Sequence, residues 1–486
     1  MRRTLPLRAT PTALLLCLAL AGCASRLPAP EAAAAVPTQW AEGAADAAQA
    51  PTQLAGWWQR FDDPALGALV EDALRHSPTL QSALAALRQS RALVEVAAAG
   101  LAPSLGGNAG AQRTHTQAQG GINSFSLGLT ASWEPDLWDG TRAGVRAAEA
   151  DARAAQLALG NAQVVLAAEV ALAYIDLRNA QARLAIAEDN LAAQDDTLQI
   201  ARWRNQAGLV SSLDVAQAIA AAEQTRASVP QLQTTLAQAR HRLTVLSGRA
   251  PGELVELGAA PVPLPPDDLV LAFPADTLRQ RPDVRRAEAQ VQAAWARVAQ
   301  ADAARYPALQ LGGSLGLQAL TLGSLTSGGS VLRSIMASLS APLFDGGAIA
   351  GNVRAQQAAL EQAHAAYRAS VLTALQEVED ALVALQGDRA RDRSLGAAAR
   401  AAADADTLAR QQYQAGLVDF NTVLQTQRTL LSAQDSAASV RASLATDHVS
   451  LYKALGGGWS PEAADPVAPP VAAASPDTVP NAPAAR

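Results

Sequence analysis

The chain has 486 residues and a formal net charge of −6, with only 17% charged and 4% aromatic residues. That length suits two or three ordinary domains or one extended architecture, and the negative balance argues against nucleic acid, which selects for clustered cations. Alanine takes the place of the missing rings, so a core filled with aromatics is not expected. Small side chains favour helices that pack closely along their length.

Residues 1–22 read as a secretory signal peptide: Arg2, Arg3 and Arg8 precede the apolar run Ala13 to Leu20, and Leu20-Ala21-Gly22 leads into Cys23. A cysteine directly after Leu-Ala-Gly resembles the bacterial lipoprotein signal. The resemblance implies that Cys23 becomes the mature first residue and carries an N-acyl diacylglycerol. In that class Ala24 at the next position points to the outer membrane of a Gram-negative bacterium. Cys17 lies in the part removed, so no intrachain disulfide is expected. Residues 23–55 are rich in Ala and Pro, lack periodicity and are predicted to form a tether. No later segment offers the roughly 20 unbroken apolar residues of a membrane helix. The nearest, Ala154 to Tyr174, is interrupted by Gln156, Asn161, Gln163 and Glu169. A membrane crossing would therefore use strands.

The chain contains an internal two-fold repeat. Gln206-Ala207-Gly208-Leu209-Val210 returns as Gln414-Ala415-Gly416-Leu417-Val418, and apolar residues follow each copy in one heptad register: Val215, Ala222, Val229, Leu236, Leu243 and Val423, Leu430, Ala437, Leu444, Leu451. Repeat 1 is placed at 56–248 and repeat 2 at 281–455, joined by a proline-rich linker at 249–280. An Ala/Pro-rich tail at 456–486 is predicted to be disordered. In each repeat a helix runs into a proline, Pro103 or Pro307, after which the period changes from helical to two. Leu309, Leu311, Leu315 and Leu317 alternate with Gln310, Gly312, Ser314 and Gly316, and Phe125 to Trp133 alternate with Ser, Gly and Thr. These stretches predict β-hairpins at 104–135 and 308–344, with an apolar and a small polar face, as an outer-membrane strand requires. Two hairpins are too few to close a barrel within one chain, so a barrel demands an oligomer. Leu137-Trp138-Asp139-Gly140 and Leu343-Phe344-Asp345-Gly346 then predict strand-to-helix turns, with Asp139 and Asp345 capping the first free amides. Long helices are predicted at 141–207 and 348–415, with Val170, Leu177, Leu184, Leu191 and Leu198 recurring every seven, and at 1.5 Å per residue each spans about 100 Å. Return helices are predicted at 214–247 and 421–455.

These features together resemble the TolC-like outer-membrane efflux family, in its lipoprotein branch. The resemblance rests on Cys23, the paired Pro103 and Pro307, the Asp-Gly turns and the Ala-Gly-Leu-Val tips. It implies an α+β membrane protein: a homotrimer whose four strands per protomer close a 12-stranded β-barrel, continuous with a long periplasmic α-helical barrel. It implies passive conduction of drugs or other toxic compounds, a periplasmic adaptor at the tips and an inner-membrane pump. Adaptor contact would fall to Gly208, Leu209, Val210, Gly416, Leu417 and Val418. By the motif, Asp214 matches an acidic residue narrowing the closed entrance, though it also suits a helix cap. In repeat 2 the family's acid is replaced by Gln425 and its latching arginine by Val418, leaving Asp419 and Thr422 as candidates for a rearranged gate. A three-fold ring of carboxylates would favour cations and raise its own pKa by mutual repulsion. No cofactor is expected beyond the lipid on Cys23. An enzyme is not expected either, because His76, His115, His241, His364 and His448 are scattered, with no i, i+4 pair and no cysteine ligands. The competing readings are a periplasmic adaptor lipoprotein, which should show one hairpin flanked by compact β-domains, a type I secretion exit duct, and a trimeric coiled-coil adhesin.

Overall fold

A computed structural model describes residues 36–37, 40–41, 54–116, 120–253, 257–266, 279–327 and 330–460. Cys23, the signal peptide and most of the tether lie outside the described residues. After a short 3-10 turn, Trp57–Phe61, come α1 (Pro64–His76) and α2 (Pro78–Ala99), each opened by a proline in its first turn, where its missing N–H costs nothing. The chain continues through β1 (Ser104–Thr116) and β2 (Gly120–Trp133) into α3 (Gly140–Gln206) and α4 (Ser212–Leu246). The second half repeats the order: α5 (Pro282–Ala303), β3 (Ala308–Ala319), β4 (Val331–Ser340), α6 (Ala348–Gln414) and α7 (Phe420–Ala454).

The strands form one antiparallel sheet in the order β1-β2-β3-β4. Two local hairpins are joined by the pairing of β2 with β3, so the repeats meet edge to edge within the chain. Below the sheet, α3 and α6 each run 67 residues, roughly 100 Å at helical rise. Beside α3 lie α2 and α4, and beside α6 lie α5 and α7. The shorter helices stack end to end: the turn after α4 presses Gly248 onto the backbone of His76, and the turn after α7 presses Gly456 onto Arg281. A Cβ at Gly248 would stand 2.5 Å from the His76 carbonyl oxygen, so the approach needs glycine.

These stacked junctions sit at a waist where five aromatic residues are buried together. Trp57, Trp58, Phe61, Tyr174 and Tyr452 join Val170, Leu177 and neighbouring alanines in the largest core cluster, with Trp57 stacked on Tyr452 at 5.2 Å. The most apolar part of α3 is buried in this cluster. Polar contacts lock it. Asp63 caps α1 by accepting from the amides of Ala65 and Leu66, and it also accepts from the Tyr174 hydroxyl at 2.6 Å. Burial and that carboxylate push the Tyr174 hydroxyl up to about 12. Arg281, almost fully buried, donates to the Ala454 carbonyl at 2.8 Å and pairs with Asp283 at 2.6 Å and Glu377 at 2.7 Å. Trp40 packs on the same waist against Val378, Leu382 and Leu444.

Two expectations are corrected. The tail does not begin at residue 456: Gly456 to Trp459 are buried, and the Trp459 indole donates to the Gln280 carbonyl while covering Gly160. Nor does Asp139 cap α3. It adopts φ +64° and makes no cap bond, its carboxylate instead accepting from Arg146 at 2.7 Å. Asp136, three residues earlier, accepts from the Arg142 amide at 2.8 Å. Asp345 does cap, accepting from the amides of Gly347 and Ile349.

Arg281→Met is expected to destabilise the protein by about 3 kcal/mol, because it strands Asp283 and a buried carbonyl without their cation. A lower thermal unfolding midpoint of the solubilised protein is the measurement, and an unchanged midpoint would deny the hub role. Asp447 on α7 gives a pH-dependent case. Burial first, then the charge of Asp388, pushes its carboxyl up to about 6 against the pull of Arg391. The folded chain then binds the proton more tightly than the unfolded chain does, so stability falls as pH rises from about 4 through 6. Asp447→Asn should remove that fall and raise stability at pH 7 by about 1 kcal/mol, after discounting for solvent screening. Parallel pH–stability curves for the two proteins would refute this.

Candidate membrane band and helical mouth

Because the side-chain period of a strand is two, the register sorts the sheet into two faces. Leu105, Ala109, Phe125, Leu127, Leu129, Trp133, Leu309, Leu311, Leu315, Leu317, Ile335 and Leu339 share one. Among the described residues no helix packs across this face, Ile335 being 97% exposed. The other face is mostly Ser, Thr, Asn, Gln and Gly, with Ile122, Leu332 and Met336 as large apolar exceptions. It is cross-linked laterally: Ser104 to Ser132 at 2.8 Å, Thr130 to Asn108 at 3.4 Å, Ser314 to Ser334 at 2.7 Å and Gln318 to Ser124 at 3.2 Å. An apolar outside and a small polar inside are what a sheet needs between hydrocarbon and a water-filled lumen.

Aromatic side chains mark the end of the sheet that joins the helices. Trp138 stacks on Tyr306 at 4.9 Å and donates to the Pro307 carbonyl, and Trp133 donates to the Leu101 carbonyl. Phe344 stands 93% exposed at the corresponding turn of the second repeat. Amphipathic rings gathered at one end of an apolar band suit a membrane–water interface.

At the opposite end of the helices the two tips have the same backbone. The Leu209 amide donates to the Arg204 carbonyl and the Gly208 amide to the Asn205 carbonyl, and the same pair of bonds joins Leu417 to Gln412 and Gly416 to Tyr413. This is a Schellman ending, and it requires the left-handed φ of +74° at Gly208 and +75° at Gly416. Leu209 and Leu417 are left 73% and 75% exposed. Val210 is half-buried, and Val418 turns inward against the lower core cluster.

The acidic residues at the tips act as caps. Ser211 is the N-cap of α4: its hydroxyl accepts from the Asp214 amide, while the Asp214 carboxylate accepts from the Ser211 amide at 2.9 Å. In the second repeat Asp419 stands where Ser211 does and Thr422 where Asp214 does. The Asp419 carboxylate accepts from the Thr422 amide at 2.9 Å and from its hydroxyl at 2.7 Å. The acid that moved between repeats has therefore moved within one capping arrangement, from N3 to N-cap. Hydrogen bonds from Thr422 hold the Asp419 carboxyl below the ordinary carboxylate range. The cap bond is thus present at neutral pH and lost only as pH falls through that lowered value. Gln425 is exposed one turn further on, its carbonyl accepting from Thr429.

One set of contacts has no counterpart in the sequence reading. The lower part of α3 faces α7 through polar residues seven apart. Arg183 pairs with Asp435 at 2.6 Å, the Asn190 amide donates to Gln434 at 2.8 Å and the Gln427 amide donates to Thr197 at 2.8 Å, while one heptad further on the Arg204 guanidinium lies 4.3 Å over Tyr413 at the end of α6. The spacing 183, 190, 197, 204 is itself a heptad and is readable in the sequence, but its partners lie in the other repeat. Above this seam the repeats meet through the apolar waist cluster, with polar links from Arg60 to the Tyr452 hydroxyl and between Arg297 and Asp151. Among the described residues no cluster of three or more His, Cys, Asp or Glu is placed to hold a metal.

The family described as outer membrane efflux proteins matches residues 69–249 and 273–457, one segment in each repeat. The pyoverdine export outer membrane protein OpmQ of Pseudomonas aeruginosa is 33% identical, over 91% of this chain and 95% of its own length. The antibiotic efflux pump outer membrane protein ArpC of Pseudomonas putida is 33% identical, over 90% of this chain and 93% of its own. Among solved structures, the outer-membrane channel OprN is 34% identical and superposes with a TM-score of 0.81, over 88% of this chain and 99% of that one. Two helical hairpins with strands between them also differ from the single hairpin of an adaptor. The chain belongs to the outer membrane efflux protein family of TolC-like channels, and it is a channel rather than an enzyme.

Proposed function

We propose that three copies of this chain close a 12-stranded barrel and a helical tube through which drugs or other toxic compounds pass passively from the periplasm to the outside. The observation that carries the reading is the four-stranded sheet whose outer edges, β1 and β4, pair with nothing among the described residues. In hydrocarbon those backbone groups must be bonded, and β4 of one copy against β1 of the next satisfies them. Strands of 10 to 14 residues match the roughly 9–11 needed to cross an outer membrane at a tilt. Among the described residues the lumen face is mostly small and polar, which suits cargo choice by the pump. The two relatives, named for pyoverdine export and for antibiotic efflux, are consistent with chemically different cargoes using one architecture. Leu209 and Leu417 at the tips supply apolar contacts for a periplasmic adaptor, since exposed leucines at both turns have no role within the protomer. Val418 is better assigned to the core. Cys23 carries the diacylglycerol anchor, supported by the signal-like stretch before it.

Native mass measurement of the detergent-solubilised protein should give a trimer whose protomer mass includes the acyl groups, and the acyl mass should vanish in Cys23→Ser. Planar-bilayer recording of the same sample should show single-channel steps. A monomer without conductance would sink the channel reading, and an unmodified Cys23 would sink the anchor alone.

The caps also set up a charged mouth. Three copies place three Asp214 and three Asp419 carboxylates around the tips, with Thr422 and Gln425 between them. Asparagine caps a helix about as well as aspartate, which keeps the turn in Asp419→Asn, and at N3 the amide oxygen of Asp214→Asn can still accept from the Ser211 amide, so both remove charge while keeping the caps. Each should lower cation selectivity, read as a reversal-potential shift toward zero in a salt gradient. If neither moves it, these carboxylates are caps and nothing more.

A further inference from the structure

The sheet holds an unbalanced charge. From Ser104 to Trp133 and from Ala308 to Ser340 there is no Asp or Glu, while Arg113 and Arg333 are present. Neither arginine makes an ion pair among the described residues, and both are exposed. Their register places them on the apolar face: Arg113 is paired with Asn123 in the row of Phe125, and Arg333 with Leu315. Both lie near the strand ends remote from the helices, where a cation on the lipid side costs about 0–1 kcal/mol against about 2–4 at the midplane. The Arg113 side chain runs toward that end, its guanidinium gathering with the His115 ring over Gly121, whose missing Cβ would stand 3.4 Å from it.

The two arginines sit on the two edge strands, and the repeat says how those edges meet. Pro103 and Pro307 align β1 with β3, which makes Leu317 the counterpart of Arg113. The Asp139 and Asp345 turns align β2 with β4, which makes Leu127 the counterpart of Arg333. Leu127 and Leu317 are paired directly across the β2–β3 junction. Repeating that junction between protomers sets Arg333 of one copy opposite Arg113 of the next, on the lipid-facing side. The hairpins themselves differ by two residues, Ser104 facing Ser132 but Ala308 facing Ser340. A shift of two keeps both arginines on the same face and within reach. Like charges set opposite across strands repel, no acid of the sheet or its outer loops is present to separate them, and guanidinium groups bind phosphate oxygens in a bidentate fork.

We propose that each of the three junctions between protomers binds the phosphate of an outer-leaflet lipid headgroup between Arg113 and Arg333. The proposal rests on the trimeric barrel described above. It makes the lipid a bridging ligand of the assembly, with acyl chains along the leucine band and the phosphate at the arginine pair.

The test uses the full-chain trimer in detergent, titrated with diphosphorylated lipid A, with its dephosphorylated form, and with inorganic phosphate, and read by native mass spectrometry. Up to three molecules of diphosphorylated lipid should be retained per trimer, with the dephosphorylated form retained about tenfold less. Arg113→Gln and Arg333→Gln should each reduce retention by a similar factor, since they share one site, while Arg113→Lys and Arg333→Lys keep a substantial part. Retention indifferent to the phosphate, or to both glutamine variants, would overturn the proposal. So would displacement of the lipid by millimolar inorganic phosphate, which would mark a free-anion site. A trimer that conducts normally yet retains no phosphorylated lipid defeats this inference alone, whereas absence of a trimer defeats the channel reading.

Discussion

A sheet in hydrocarbon cannot have an edge. Every backbone N–H and C=O that water would satisfy elsewhere must find a partner there, and four strands in one chain leave two rows of groups open. Most of the architecture follows from removing those rows by adding copies of the chain. Once strands from several copies close a ring, each strand hands its chain to a helix at the same point on the circumference, and the helices must form a ring of related size. That places a limit on side-chain bulk along the helices. Alanines at Ala173, Ala180 and Ala187, alternating with leucines on α3, let neighbouring backbones approach. The largest group of buried aromatic residues is at the waist, where shorter helices meet end to end and a wider core is available.

The tube is graded along its length. Near the waist the repeats are joined mainly by the apolar cluster that holds Trp57, Tyr174 and Tyr452, with Arg60 donating to the Tyr452 hydroxyl. Further down, α3 and α7 meet through Arg183–Asp435, Asn190–Gln434 and Thr197–Gln427. A polar seam exchanges its bonds for water at low net cost, whereas separating an apolar seam exposes hydrocarbon. The lower part is therefore the easier one to part, although the small cluster around Phe420, Val423 and Leu198 and the Arg204–Tyr413 contact still tie the tips together.

What could be read from the sequence was what is periodic. Alternation in Leu309 to Leu317 and the heptads after the glycine turns are local signals, and the strands and long helices follow them. The partner of a polar residue is not a local signal: Arg183 meets Asp435 across 252 positions, and nothing in the spacing of either names the other. Asp139 misled for a different reason. An aspartate before a glycine suits a cap only if its own backbone is extended, and here it is left-handed, so the capping passes to Asp136. The tail boundary failed on composition, since three glycines look like a release from structure. Gly457 and Gly458 are there instead to pass beneath Trp57.

The duplication gives the two kinds of strand junction a common ancestor, and their divergence is informative. Within the chain the junction carries Leu127 against Leu317. At the equivalent point between protomers the same positions are Arg333 and Arg113. An exposed strand edge templates indiscriminate pairing, and a charged side chain on the edge opposes it. Only the edge strands β1 and β4 carry charge; β2 and β3 carry none. In water the arginines discourage two free edges from joining. At a membrane surface rich in phosphate the repulsion is screened and becomes an attraction through the shared anion. Arginine on each edge, where the inner junction has leucine, thus separates the pairing within the chain from the pairing between copies in the membrane.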